Sequence, residues 1–336
     1  MQTNISLKTY NSFGIDVKTK YLAKIQDVKD IYPLLKDFTT TKKMILGGGN
    51  NVLFLKDFDG IILLNQIKGK KNIHEDANEI SLKIMGGENW HELVMWAVDH
   101  NYGGIENLAL IPGNVGTAPI QNIGAYGSEI KDVILKVFAL DMKTGKEIIF
   151  DNKDCQFGYR QSIFKKAENK NRYFITAVSI KLSKNNYTPN IGYGAIQQIL
   201  KNKKITLPNI KQVAEAVIEI RENKLPDPNK IGNAGSFFKN PIVDKGLFDQ
   251  LVLQFPNMPF YKITSNQYKI PAGWLIEKSG FKGKRFGAVG VHDKQALVLV
   301  NYGNASGKQI QELSKTIIHK IKDQFNIELE PEVNFV

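Results

Sequence analysis

Residues 103–127 restrict the fold of this chain more than any other stretch. They carry Gly103, Gly104, Gly113, Gly116, Gly124 and Gly127, Pro112 and Pro119, and one charged residue, Glu106. A structureless segment this long inside a compact domain is usually functional or disordered. Its apolar content argues against disorder. The segment Pro112 to Gly127 combines backbone donors with the amides of Gln121 and Asn122 and can hydrogen-bond a large polar heterocycle through its edge atoms.

The flanking sequence supplies a framework. Tyr21 to Ile25 reads as a short strand. Asp27 is placed to cap a helix with Val28, Ile31, Leu34, Leu35 and Phe38 at helical spacing. Met44 to Leu46 and Ile61 to Leu64 are further strands, and Ile80, Leu82 and Ile84 alternate as on a half-buried strand. Glu88 to His100 is a helix with Trp90, Leu93, Val94 and Ala97 on one side. Val133 to Leu140 and Glu147 to Phe150 form a hairpin through Lys143-Thr144-Gly145, and Tyr173 to Leu182 closes this half. The polar stretch Ser183 to Pro189 is the candidate boundary. Beyond it, helices are expected at Val213 to Arg221, Phe248 to Phe255 and Ala272 to Lys278. A buried strand follows at Ala296 to Val300. The last helix starts at Ser306, where Gln309 completes a capping box.

The net charge is +12, from 45 Lys and Arg against 33 Asp and Glu. Such a field attracts anions. The charge is dispersed, without zinc-finger spacing or an aromatic RNA-binding signature, so nucleic acid is not the expected partner. No apolar run is long enough to span a membrane, and the first residues lack the apolar core of a signal peptide. Cys155 is the single cysteine. Together these favour a cytoplasmic protein.

Gly47-Gly48-Gly49-Asn50-Asn51 follows a strand and can cradle a phosphate through its N–H groups; a hairpin loop is the other reading. It is not a dinucleotide fingerprint, because Val52 to Leu55 reads as strand. Gly303 to Lys308 has three residues between its glycines where a P-loop needs four, and reads as a helix start. Arg160, after Phe157-Gly158-Tyr159, is either a two-bond clamp for a carboxylate or a stacked surface arginine. Gly232 to Pro241 holds Ser236 beside Gly235, with Phe237 and Phe238 as anchors. It is either a glycine turn leading into a strand or a serine held against a bound anion or flavin. Glu328, Glu330 and Glu332 alternate, as a solvated strand face would. The five histidines show no metal-ligand spacing, so no metal is expected.

Taken together these segments resemble the UDP-N-acetylenolpyruvoylglucosamine reductase (MurB-type) family. The likeness runs from Asn11-Ser12-Phe13-Gly14 to Leu329-Glu330-Pro331-Glu332-Val333. It passes through Asn50 to Leu53, Gly104 to Leu108, Ile111-Pro112-Gly113, Gln121 to Gly127, Phe157 to Arg160, Lys224-Leu225-Pro226 and Gly235 to Pro241. The resemblance implies an α+β chain. Its N-terminal half would be an FAD-binding domain of PCMH or vanillyl-alcohol-oxidase-like type with two α+β subdomains, over 17–183. A smaller α+β substrate-binding domain would cover 208–336. It implies FAD and NADPH as cofactors, a UDP-sugar substrate and a monomer. Gly47, Gly48, Gly49, Asn50 and Asn51 would hold the FAD pyrophosphate. Pro112, Gly113, Gly116, Thr117, Gln121, Asn122 and Gly124 would hold the isoalloxazine and ribityl parts. Ser236 matches the proton donor, and Arg160 and Glu332 the other two catalytic positions. Tyr193, Lys224, Asn240, Tyr261, Lys282 and Gln295 match contacts to the UDP-sugar, and the segment around Tyr261 matches a branch with an extra substrate-closing loop. Asn50 stands where the family usually has Ser, and Asn334 where a basic residue is common.

The implied activity is NADPH-dependent reduction of UDP-N-acetylglucosamine enolpyruvate in peptidoglycan precursor synthesis. Hydride addition β to a carboxylate puts negative charge on that carboxylate, which Arg160 would clamp, as in an oxyanion site. Ser236 would then protonate the α-carbon, with Lys239 or Lys224 making its hydroxyl acidic enough. The alternatives are another flavin oxidoreductase of this fold acting on a sugar or alcohol, and a basic nucleic-acid-binding protein.

Overall fold

The computed structural model describes residues 1–336 as two compact units. The first comprises Met1–Ile5, Thr19–Gly48 and Asp59–Arg221; the second comprises Ser6–Lys18, Gly49–Phe58 and Glu222–Val336.

The first unit contains two sheets. One orders the strands Gln2–Ser6, Lys18–Ile25, Phe58–Asn65 and Lys43–Leu46, the last two parallel. The helix Ile31–Asp37 follows a 3-10 turn at Val28–Asp30, and Asp27 caps that turn by accepting from the N–H of Lys29. The second sheet is antiparallel, in the order Glu147–Asp151, Ile134–Asp141, Tyr173–Ser183, Glu79–Met85 and Lys70–Glu75. Tyr173–Ser183 is central, and it is buried almost throughout because both sheet faces are covered. Phe174 packs into a small core with Ile25, Ile31 and Ile61. Ile175 and Val178 join a larger one with Leu93, Val94 and Ala97 from the helix Trp90–Asp99. Asn89 caps that helix by accepting from Glu92 N–H at 3.0 Å.

The first unit does not end at 183–189. A helix at Gly194–Asn202, absent from the sequence expectation, and the helix Ile210–Lys224 send Ile196, Leu200, Ala214 and Val217 into the larger core. Tyr187 fixes the crossing: its hydroxyl donates to the buried Glu106 carboxylate at 2.7 Å, and a Cβ at Gly103 would lie 2.1 Å from its ring.

The second unit has a sheet of Gly232–Ser236, Val298–Asn301, Val289–Val291 and Arg285–Phe286, and a smaller one of Ile242–Asp244, Gln267–Lys269 and Tyr261–Lys262. The helix Gly307–Phe325 buries Ile310, Leu313, Ile317, Ile321 and Phe325, and opens with the expected Ser306–Gln309 capping box. The helix Ala272–Lys278 has the bounds read from sequence, and Lys245–Gln254 is capped by Asp244. The expected strand at Val52 to Leu55 is shorter: Val52–Leu53 pairs in parallel with Asn334–Phe335. No helix is long and apolar enough to cross a membrane.

Candidate active site

In the first unit the glycine-rich stretch is a packed loop, as its apolar content requires. A 3-10 turn at Val115–Thr117 is closed by Asn114 and Thr117, whose hydroxyl donates to the Asn114 carbonyl at 2.7 Å. The N–H of Gly116 donates to the Gly86 carbonyl at 2.8 Å, and the Gly113 carbonyl accepts from Trp90 at 2.9 Å. A Cβ on Gly47 would lie 2.4 Å from Thr117 Cγ2, so the first glycine of the 47–51 loop is dictated by this turn. Gly86 and Gly87 make equally close backbone approaches, to Ile175 and Gln66, and sequence reasoning gave them no role.

Further along, Gly124–Ala125 and Ser128–Glu129 form a two-residue hairpin. Tyr126 (φ 50°) and Gly127 (φ 83°) both have positive φ, as a type I′ turn demands. Asn122 is fully buried. Its amide donates to Glu129 and to the Gly158 carbonyl, both at 3.0 Å, and its oxygen accepts from Lys131 N–H at 3.1 Å. Its side chain therefore holds the loop in place, and its N–H donates to the Pro119 carbonyl at 3.3 Å.

Arg160 sits in the tight turn 158–161, where Gly158 and Gln161 exchange backbone hydrogen bonds, with a φ of 52°. Its guanidinium donates to the Gly124 carbonyl at 2.7 Å and lies over the Tyr159 ring. Asn122, bonded to Gly158, ties the arginine turn to the loop. Tyr193 precedes the helix Gly194–Asn202 and meets Tyr126 edge-on, ring centroids 5.1 Å apart. Arg221, which sequence reasoning missed, reaches the Tyr126 hydroxyl; burial pulls its pKa down, and Tyr126 partly restores it.

In the second unit Ser236 lies on a bulge. Gly232 pairs with Asn301, Asn233 with Val300 and Ser236 with Val298, so the serine strand holds one extra residue. Gly235 takes the required left-handed conformation (φ 67°), and its N–H is held by Asn233 Oδ1 at 2.9 Å. Phe237 and Phe238 are buried, anchoring the strand while Ser236 stays exposed. The segment is a bulged strand, and Ser236 is exposed on it. Glu332 is brought beside it, its N–H donating to the Phe237 carbonyl at 2.8 Å. The alternating glutamates do not form a strand face. Phe238 bridges Pro331, and Lys239 Nζ pairs with Glu330 at 2.5 Å.

Gly49 and Asn51 belong to this unit. A Cβ on Gly49 would lie 2.0 Å from the Tyr10 carbonyl oxygen, and Asn51 donates to the Glu332 carbonyl at 3.3 Å. Asn240 Oδ1 accepts from Ala272 N–H at 2.9 Å, so its oxygen caps a helix and its amide nitrogen remains to donate. Gln295 Oε1 lies where a Cβ on Gly273 would come within 3.0 Å, next to the same helix. Lys282 pairs with Glu277 at 3.0 Å, and Tyr261 is exposed on its short strand with Lys269 over the ring. Lys224 is exposed at the end of its helix. Of the expected residues, Arg160, Asn122, Gly124 and Tyr193 thus gather in one unit, and Ser236, Glu332, Asn51, Asn240 and Gln295 belong to the other.

Residues 20–151 match a family model described as an FAD binding domain, and residues 227–336 match the UDP-N-acetylenolpyruvoylglucosamine reductase C-terminal domain. A Flavobacterium johnsoniae protein named UDP-N-acetylenolpyruvoylglucosamine reductase is 49% identical over 336 residues, covering 100% of this chain and 99% of its own. The chain belongs to the UDP-N-acetylenolpyruvoylglucosamine reductase family. An Amoebophilus asiaticus relative of the same name is 45% identical over 338 residues, covering 100% of this chain and 99% of its own. The solved reductase of this family from Thermus caldophilus superposes with a TM-score of 0.67 at 21% identity, covering 99% of this chain and 97% of that one. The expected architecture, an FAD-binding domain followed by the reductase C-terminal domain with mixed helix and strand, is borne out.

Proposed function

We propose that this chain is a flavin-dependent reductase that uses NADPH to convert UDP-N-acetylglucosamine enolpyruvate to UDP-N-acetylmuramate in peptidoglycan precursor synthesis. The observation that carries the reading is Ser236, an exposed hydroxyl on a bulge pinned by two buried phenylalanines, with Glu332 beside it. The 47–51 loop fits FAD phosphates: its first and third glycines have no room for a Cβ, so the loop presents backbone rather than side chain at those positions.

FAD, when bound, supplies to the enolpyruvyl carbon a hydride drawn from NADPH. Arg160, held from below by the Gly124 carbonyl, clamps the substrate carboxylate as charge builds on it. Ser236 gives its proton to the α-carbon and recovers one from solvent, and Glu332 polarises a water for that return. Lys239 is already paired with Glu330, so Lys224 is assigned to stabilise the serine alkoxide. Residues 17–183 are assigned to the flavin and 208–336 to the UDP-sugar, with Tyr193, Asn240, Tyr261, Lys282 and Gln295 as further contacts. The net charge of +12 suits two polyanionic substrates. The protein is assigned to the cytoplasm as a monomer.

The test is a visible absorbance spectrum followed by NADPH oxidation with and without the UDP-enolpyruvyl sugar. A flavin spectrum and sugar-dependent oxidation are expected. Colourless protein that takes up no FAD ends the reading.

A further inference from the structure

Three buried side-chain atoms have no hydrogen-bond partner: Ser12 Oγ, Asn107 Oδ1 and Arg221 Nε. Native structures keep few such groups, because each loses its bonds to water on burial. Ser12 differs from the other two in where it sits. Its N–H donates to the Gly49 carbonyl at 3.1 Å, and its carbonyl accepts from Asn233 N–H at 2.9 Å. One neighbour belongs to the glycine loop and the other to the Ser236 strand.

The segment around Ser12 is wedged between those two elements. A Cβ on Gly49 would lie 2.0 Å from the Tyr10 carbonyl oxygen, and one on Gly232 would lie 2.2 Å from that of Phe13. Phe13 is fully buried edge-on against Phe237, and its carbonyl accepts from Asn301 at 2.8 Å. Both backbone groups of Ser12 are thus committed, and the hydroxyl is the one polar group it can offer elsewhere. The adjoining loop, Gly47 to Asn51, contains neither a hydroxyl nor a cation.

The geometry points to Ser12 as a ligand of the FAD pyrophosphate, its hydroxyl donating to a phosphate oxygen held over the 47–51 loop. This rests on the proposal that the loop holds those phosphates. A hydroxyl donating to an anionic oxygen makes a charge-assisted bond, stronger than one between neutral groups. Ser12 thereby supplies the hydroxyl that the loop lacks.

The test compares Ser12→Ala and Ser12→Thr with wild type, measuring FAD affinity of the full-length flavin-free chain by fluorescence and ADP and riboflavin affinity by calorimetry. Ser12→Ala is expected to weaken FAD and ADP about ten- to a hundredfold and leave riboflavin unchanged. Ser12→Thr restores binding. The melting temperature of the flavin-free Ala variant does not fall, because the deleted hydroxyl had no protein partner. Unchanged FAD and ADP affinity overturns the inference, and a lowered melting temperature with it would identify a structural, water-bonded hydroxyl. Equal losses for riboflavin and FAD overturn the pyrophosphate assignment. Wild-type protein that binds neither FAD nor ADP overturns the underlying reading as well, which separates the two failures.

Discussion

The backbone N–H of Glu332 donates to the carbonyl of Phe237 at 2.8 Å, which fixes the glutamate beside the residue that follows Ser236. The bond uses main-chain atoms, so either side chain can be changed without undoing it. Ser236→Ala is expected to leave flavin reduction by NADPH near wild type and to slow reoxidation by the UDP-sugar by about 10²–10⁴-fold. Stopped-flow absorbance separates the two half-reactions. Wild-type-like reoxidation would remove Ser236 from the mechanism.

Lys239 is paired with Glu330, whereas Lys224 is exposed at the end of its helix. Glu330 is exposed, so Glu330→Gln is expected to change stability by no more than about 1 kcal/mol and to leave turnover unaltered. Lys224→Met is expected to slow the protonation step by about 10²-fold. A larger loss in Lys239→Met, with its melting temperature intact, would reverse the assignment.

Asn122 makes three hydrogen bonds from a fully buried position. Asn122→Ala leaves the Gly158 carbonyl and Lys131 N–H without this partner. It is expected to cost about 2–4 kcal/mol in urea denaturation. A shift too small to resolve would show that water replaces the amide.

Asp141 supplies the acid-sensitive element. Burial pushes its carboxyl up, but hydrogen bonds from Arg172 and from the Lys143 and Thr144 N–H groups outweigh that and hold its pKa below the usual 3.8. A carboxyl lowered by folding contributes stability above its unfolded value and loses it as pH falls through the lower folded value. Stability is therefore expected to drop on acidification below 3.8. Asp141→Asn should be less stable at neutral pH and show a shallower acid limb in melting temperature.

Cys155 is buried, and burial pushes its thiol up to about 12, with Asp154 and Asp151 adding to the effect. The native protein is expected to resist thiol reagents at about pH 8, since the thiolate is the reactive form. Denaturant should release one reactive thiol per chain. Rapid labelling of native protein would contradict this burial.

Locally encoded structure was legible in the sequence. The Ser306–Gln309 box and the alternation of Ile80, Leu82 and Ile84 occupy the elements expected of them, because the signal and the structure lie within a few residues. The helix Gly194–Asn202 escaped notice since no capping side chain marks its start. The end of the first unit escaped for a different reason: Tyr187 looks polar and exposed until its bond to Glu106, 81 positions away, is seen. Around the candidate site, the anchoring of Phe237 and Phe238 in the core was readable. The commitment of Asn122 to structure and of Lys239 to Glu330 was not, since each depends on a partner that spacing cannot name.

The glycine loop near residue 50 is completed from far along the chain: Asn51 donates to Glu332 across 281 positions, and Val52–Leu53 pairs with Asn334–Phe335. Contacts of such range form slowly, because the intervening chain must first be gathered. A ribosome that has made the loop must make most of the remaining protein before that loop has its partner. That loop is thus among the last parts of the fold to gain its native contacts, however early its residues are made.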